Sequence, residues 1–115
     1  MAIRILTKML VQRAVYWHPT GTDRFGQPTF ADPVELAVRW EERRQLFIND
    51  EGVEQVSRAV VYVESDVAVR GYLKLGTLLD LSDNAPLGND DVFRIRAFNK
   101  TPTLKGDQFL REAIL

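Results

Sequence analysis

VELAVRWE, Val34 to Glu41, is the stretch on which the reading of the fold turns. Val34, Leu36, Val38 and Trp40 alternate there with Glu35, Ala37, Arg39 and Glu41. Successive side chains of an extended chain point to opposite faces, so this period of two describes a strand with one buried face. A helix would spread the same four apolar residues over two opposite sides.

Working outward, residues 8–17 form a second apolar run, with Met9, Val11, Val15 and Trp17 on one face at the same period. Between the two runs lies HPTGTDRFGQPTFADP, residues 18–33, with three Pro and two Gly. It reads as a polar connection too long for a tight hairpin, and its part 20–32 as a functional or mobile loop. On the other side, residues 42–55 read as a hairpin, with Leu46-Phe47-Ile48 before a turn at Asn49-Asp50-Glu51-Gly52. Residues 53–64 follow as a β-branched-rich strand, and its end Val60-Val61-Tyr62-Val63 is apolar on both faces. Such an end suits a barrel or a subunit interface.

Gly71, Gly76 and Gly88 punctuate two short runs, 72–75 and 78–81. A further strand is expected over 92–98, where Phe93, Ile95 and Ala97 oppose Arg94 and Arg96. After a turn at Lys105-Gly106-Asp107, the segment 109–115 fits a helix or a strand, and a strand is preferred. About seven short strands with turn signals between them give an all-β domain, a small antiparallel β-barrel or sandwich with long loops, and the barrel is the expectation.

The bulk properties agree with one such domain over residues 1–115. At this length a chain buries roughly two-thirds of the surface it exposes when unfolded, enough for one core. A hydrophobic share of 45% with 27% charged residues is ordinary for a globular chain. No apolar run approaches the roughly 20 residues that span a bilayer, so no membrane role is expected. The basic residues of the N-terminal stretch are spread through it, which does not read as a signal peptide. Cys is absent, which removes disulfides and thiolate chemistry and fits a reducing cytoplasm. Fifteen Lys and Arg against sixteen Asp and Glu leave a net charge of −1. A protein that grips nucleic acid needs a basic excess, because neutralising phosphates supplies most of the affinity.

The search for chemistry finds little. His18, the one histidine, adjoins Pro19 and reads as a loop or rim residue rather than a base. Ser57, Ser65 and Ser82 stand in no nucleophile elbow. The adjacent acids Glu41-Glu42, Asp50-Glu51 and Asp90-Asp91 would point to opposite faces of a strand and do not converge. DLSDNAPLGNDD, residues 80–91, spaces its oxygens partly like a calcium loop. Ala85 stands where that loop needs Gly and Asp91 where it needs Glu, so an acidic surface loop is the better reading. Arg43-Arg44 beside Glu41-Glu42 read as a mixed-charge hairpin whose charges satisfy one another. Trp17 and Trp40 read as core or interface residues. No catalytic residue, cofactor or metal ligand is assigned, and an enzyme is not expected.

The order of these pieces nevertheless resembles a family. A first strand ends in Tyr16-Trp17, and the Gly/Pro loop DRFGQPTF follows. VRWEER, the acidic turn NDEG, SRAVVYV, SDVAVRGYLKLG and TPTLKGDQFLREAIL then succeed one another. From about Arg13 to Leu115 the chain looks like the head-closure (stopper) or minor capsid proteins at the head–tail connector of tailed bacteriophages. The resemblance implies a virion protein of the neck, made in the host cytoplasm. It would be a compact β-barrel acting as a homo-oligomeric ring, by analogy a hexamer. Such a ring seals the DNA-filled head below the portal or adaptor ring and offers a docking face to the tail terminator or tail tube. Genomic dsDNA then passes through during viral genome ejection without being held by sequence. The implied channel or ring-contact loops carry Asp23, Arg24 and Phe25, and Glu41, Glu42, Arg43, Arg44, Asp50 and Glu51. The implied interface strand is Val60, Val61, Tyr62 and Val63. The alternatives are a neighbouring neck or tail part, a terminator or adaptor, and a nucleic-acid-binding barrel of OB or SH3-like kind.

Overall fold

A computed structural model describes residues 10–49, 51–102 and 109–115. The alternating stretch forms a strand, β4 (Val34–Glu41), which follows β1 (Gln12–Trp17), β2 (Pro19–Thr22) and β3 (Pro28–Phe30). After it come β5 (Leu46–Ile48), β6 (Glu54–Val56), β7 (Val60–Val63), β8 (Tyr72–Leu75), β9 (Phe93–Arg94), β10 (Ala97–Pro102) and β11 (Phe109–Ile114). Seven of these make one antiparallel sheet in the order β10-β11-β7-β4-β1-β8-β9, and β2-β3 and β5-β6 are separate two-stranded ribbons. The sheet is strongly curled into a half-barrel. The barrel reading of the sequence is therefore right in class.

β4 occupies the middle of the wall. Its Leu36 stands opposite Ala14 of β1, and its Val38 and Trp40 stand opposite Val63 and Val61 of β7. These residues point into the curl with Tyr16, Leu73, Ile95 and Ala113, and form the main core. Trp40 packs its indole on Phe93 with ring centroids 5.9 Å apart.

The two end strands of the sheet, β9 and β10, are consecutive in sequence and separated only by Ile95 and Arg96. The Ile95 amide donates to Gly71 O at 2.8 Å, on the β8 side. The Arg96 amide donates to Ile114 O at 2.8 Å, on the β11 side. One kinked stretch thus ties both ends of the curled wall together. The single strand expected over 92–98 is in fact two, because its halves bond to opposite ends of the sheet.

β1 and β7 are buried on both faces, for the same reason in two places. Ala14 and Tyr16 of β1 face the core, while Val15 and Trp17 face outward and are nevertheless wholly buried. Residues 76–91 are tied to β1 and β4 there, through Gly76 to Arg13 O and through Leu78 to Glu35. The Trp17 indole N–H donates to Asn84 O at 2.8 Å, and without that partner its burial would cost about 1–3 kcal/mol. On β7, Val61 and Val63 face the core, whereas Val60 packs outward with Ile114 against Phe47 of the β5-β6 ribbon. The apolar character of 60–63 on both faces is thereby accounted for inside one chain.

Other readings need correction. Residues 18–33, expected as a polar connection too long for a tight hairpin, hold a short one, β2-β3. The strand expected over 53–64 is broken at residues 57–59, where the chain leaves the β5-β6 ribbon and enters the sheet. Leu78 to Asp80 form one turn of 3-10 helix. Val11 is exposed, and the expected face of the first strand, that of Val15 and Trp17, is turned away from the main core, which Ala14 and Tyr16 face instead. Met9, Asp50 and the turn at Lys105-Gly106-Asp107 lie outside the described residues.

Candidate functional site

What projects from the wall are two ribbons with the same turn. In β2-β3, Asp23 Oδ1 accepts from the amides of Phe25 and Gln27 at 2.8 and 3.0 Å. The Gly26 amide donates to Asp23 O, and the Asp23 amide donates to Gln27 O. In β5-β6, Asn49 Oδ1 accepts from the amides of Glu51 and Val53, both at 2.9 Å. The Gly52 amide donates to Asn49 O, and the Asn49 amide donates to Val53 O. Gly26 and Gly52 both have φ of +79°, the left-handed region where a Cβ is strained. This is a three-residue hairpin loop closed by a glycine bulge, and it is set by an Asx residue three positions before the glycine.

At the tip of β2-β3 stand the predicted residues Asp23, Arg24 and Phe25. Asp23 is spent on the turn. Phe25 is 74% exposed, and the Arg24 guanidinium lies 4.9 Å from its ring centroid. The tip therefore offers an aromatic ring under a cation.

The second group is divided. Glu41, at the end of β4, accepts from Arg39 Nε at 2.9 Å and pairs with Arg43 at 3.7 Å. Arg43 also approaches Glu112 at 3.9 Å and donates to the Tyr62 hydroxyl at 3.3 Å. Its charge is thus balanced within the chain. Glu42 and Arg44 are exposed and have no ion pair among the described residues. Glu51 lies at the ribbon's tip, exposed. The root of the ribbon is held by Ser57, 2% exposed, whose hydroxyl donates to Arg43 O and accepts from the Gln45 amide.

Of the predicted interface strand, Val60, Val61 and Val63 are buried in the protomer and Tyr62 is half-buried. The exposed apolar surface lies elsewhere. Phe47 turns inward under the Arg96 guanidinium, 5.0 Å from its ring centroid. Its neighbours Leu46 and Ile48, on the opposite face, are 65% and 68% exposed. Val56, opposite Leu46, and Val53 at the turn are also exposed. On the 76–91 segment, Leu79 is 96% and Leu87 73% exposed. The signal for the first set was in the sequence: in a three-residue strand, Leu46 and Ile48 must face away from Phe47.

Carboxylates fasten the 76–91 segment. Glu35 accepts from the Leu78 amide at 3.0 Å and from Arg13 at 3.1 Å, and these bonds hold its carboxyl below the usual range. Asp80 accepts from the amide and hydroxyl of Thr77, with the same effect. Asp66 is lowered by Arg111 and Lys100, a bridge from the loop after β7 to β11 and β10. Tyr16 shifts the other way, raised by burial against the opposing bond from the Ala68 amide. Its hydroxyl shares a 2.8 Å hydrogen bond with Nδ1 of His18, which sits exposed where β1 gives way to β2.

A shallow groove near the β8-β9 end is lined by Arg58, Tyr72, Phe93, Arg94 and Arg96. Arg96 is committed to Gln55, Val56 O and Leu115 O, while the Arg58 guanidinium lies 5.9 Å from the Phe93 centroid. Among the described residues, no three of His, Asp and Glu are gathered as metal ligands. The surface carries exposed apolar side chains with charged residues beside them. No family model matches the sequence, and no curated protein is significantly similar to it.

Proposed function

We propose that the chain is a structural subunit of a phage neck, a head-closure protein that works as a ring between the portal or adaptor and the tail. The observation that carries this reading is a curled wall bearing two ribbons, one with Phe25 exposed at its tip and the other with Leu46, Ile48 and Val56 exposed on its outer face. A ring needs two unlike surfaces on each subunit that meet head to tail until the rotation closes. The near-neutral charge agrees with a passage through which DNA moves, since tight neutralisation of many phosphates would resist movement. The order of sequence elements, from Tyr16-Trp17 to the C-terminal strand, supports the same family.

A nucleic-acid-binding barrel is the second reading, and the Arg58, Arg94 and Arg96 groove favours it. Because Arg96 is committed within the chain, two guanidiniums remain, a weak grip on a phosphate backbone. The test is the particle assembled without this protein. Full heads that leak DNA and carry no tails are expected; normal tailed particles would overturn the proposal.

A further inference from the structure

Several arginines of the wall are matched by carboxylates: Arg13 by Glu35, Arg39 and Arg43 by Glu41, and Arg111 by Asp66. The groove at the β8-β9 end departs from that pattern. Its volume is about 360 Å³, at the small end of the roughly 300–1,000 Å³ typical of ligand sites. Arg58, Arg94 and Arg96 line it with Tyr72 and Phe93, and among the described residues no Asp or Glu does. Arg96 is spent within the chain, on Gln55 Oε1, Val56 O and Leu115 O. Arg58 and Arg94 are exposed, and neither has an ion pair among the described residues. The Arg58 guanidinium lies 5.9 Å from the Phe93 ring centroid, and a guanidinium held over a ring keeps its in-plane donors free. Tyr72 is half-buried, and its hydroxyl has no hydrogen-bond partner among the described residues. The side-chain groups left open in this groove can therefore all donate.

We propose that this groove is a site for one phosphate group, held by Arg58 and Arg94. Hydrogen bonds from a guanidinium fork to an oxyanion are of the strong, charge-assisted kind, and both forks here lack an acceptor. A carboxylate has two oxygens and is filled by one fork, whereas a phosphate has oxygens for both. The rings of the groove are already engaged, Phe93 by Arg58 and Trp40, and Tyr72 by Phe30. Recognition therefore falls on phosphate and not on a stacked base. Arg96 is a positioning residue. It ties Val56 O to Leu115 O, and Leu115 O also accepts from the Arg58 amide at 2.8 Å. The backbone that carries Arg58 is fixed in this way. The phosphate is presented either as the free ion or in a polynucleotide backbone. The site does not depend on the ring reading, and contact with a single phosphate is too little to hold sliding DNA.

Amide chemical shifts followed by NMR test the site as inorganic phosphate is added at constant ionic strength, with acetate as the carboxylate control. Phosphate should move the amides of Arg58, Tyr72, Phe93, Arg94 and Arg96, and acetate should move them much less. Arg58→Gln and Arg94→Gln each remove one fork at an exposed position, and an unchanged spectrum elsewhere shows that the fold persists. Each should weaken phosphate binding about fivefold, the upper range for an exposed ion pair. Arg24→Gln, at the tip of β2-β3, should leave it unchanged. Phosphate that moves no groove amide, acetate that binds as tightly, or binding that survives both substitutions would each overturn the proposal. A short DNA duplex at matched phosphate concentration then distinguishes the sources. If it moves the same amides, with a log–log salt slope of about −0.9 for one phosphate, the source is a polynucleotide backbone. If it leaves them in place while inorganic phosphate moves them, the site takes the free ion. Normal tailed particles in the absence of the protein would remove the ring reading and leave this site standing.

Discussion

The β2-β3 and β5-β6 ribbons turn in the same way and are attached to the molecule in different ways. DRFGQ and NDEGV, residues 23–27 and 49–53, place an Asx oxygen and a left-handed glycine at the same spacing and form the same hydrogen bonds. Beyond the turn the likeness ends. The strands of β2-β3 are largely polar and exposed, cross-linked at Thr20 and Thr29 by a 2.8 Å hydroxyl contact and steadied where Phe30 meets Tyr72. In the second ribbon β5 is apolar on both sides, one side sealed onto Val60 and Ile114 through Phe47 and the other open. Turn geometry is a local matter of two residues, whereas docking is decided by which strand positions carry apolar side chains.

The largest expected effect separates docking from turning. Phe47→Ala should destabilise the protein by about 3 kcal/mol in urea unfolding, since it empties the contact under the ribbon. The ribbon should also exchange its amide hydrogens faster. A loss near zero would mean that the ribbon does not depend on this seal. Next come the turns themselves. Gly26→Ala and Gly52→Ala meet no neighbouring atom, so each should cost only the left-handed backbone penalty, about 1 kcal/mol. Equal losses would sharpen the equivalence of the two turns, and a large difference would break it.

The smallest effect is one of pH, and it contrasts residues 76–91 with the β5-β6 ribbon. The Glu35 and Asp80 carboxyls are lowered in the folded chain. Their contribution is therefore complete above the ordinary carboxylate range and fades as pH falls through the lowered values. Acidification below about pH 4 should raise hydrogen exchange at the Thr77 and Leu78 amides before it affects Gln45 and Ser57, whose bonds involve no carboxylate. Glu35→Gln should remove the pH dependence at Leu78; exchange that still rises with acid in that variant would exclude Glu35 as the fastener.

Much of the fold was legible where one face of a strand is buried. The period-two pattern of Val34–Trp40 is such a case, and β4 is where it predicts. Legibility failed where a strand is buried on both faces, because Val60–Val63 then look the same whether a neighbour subunit or the chain's own ribbon covers them. It failed also where a strand changes partner midway, since nothing in the alternation of Phe93 to Ala97 marks the change at Ile95. The β2-β3 hairpin shares its Asp23 and Gly26 spacing with Asn49 and Gly52, but its strands are short and carry Pro19 and Pro28, so no apolar alternation marks them. The exposed leucines at 79 and 87 have no periodic signature, and only the folded arrangement separates them from core residues.

The kink at Ile95 and Arg96 has a consequence for how the protein is made. Because the two ends of the wall are joined by that short stretch, a chain emerging from the ribosome cannot complete its wall until almost the whole sequence is available. β1 must wait for β8, and β7 for β11. Such distant pairings fold slowly, and until β11 arrives β7 keeps one backbone edge unpaired. β10 and β11 therefore act as the latch of synthesis, and a chain cut before β10 should aggregate instead of forming a smaller working domain.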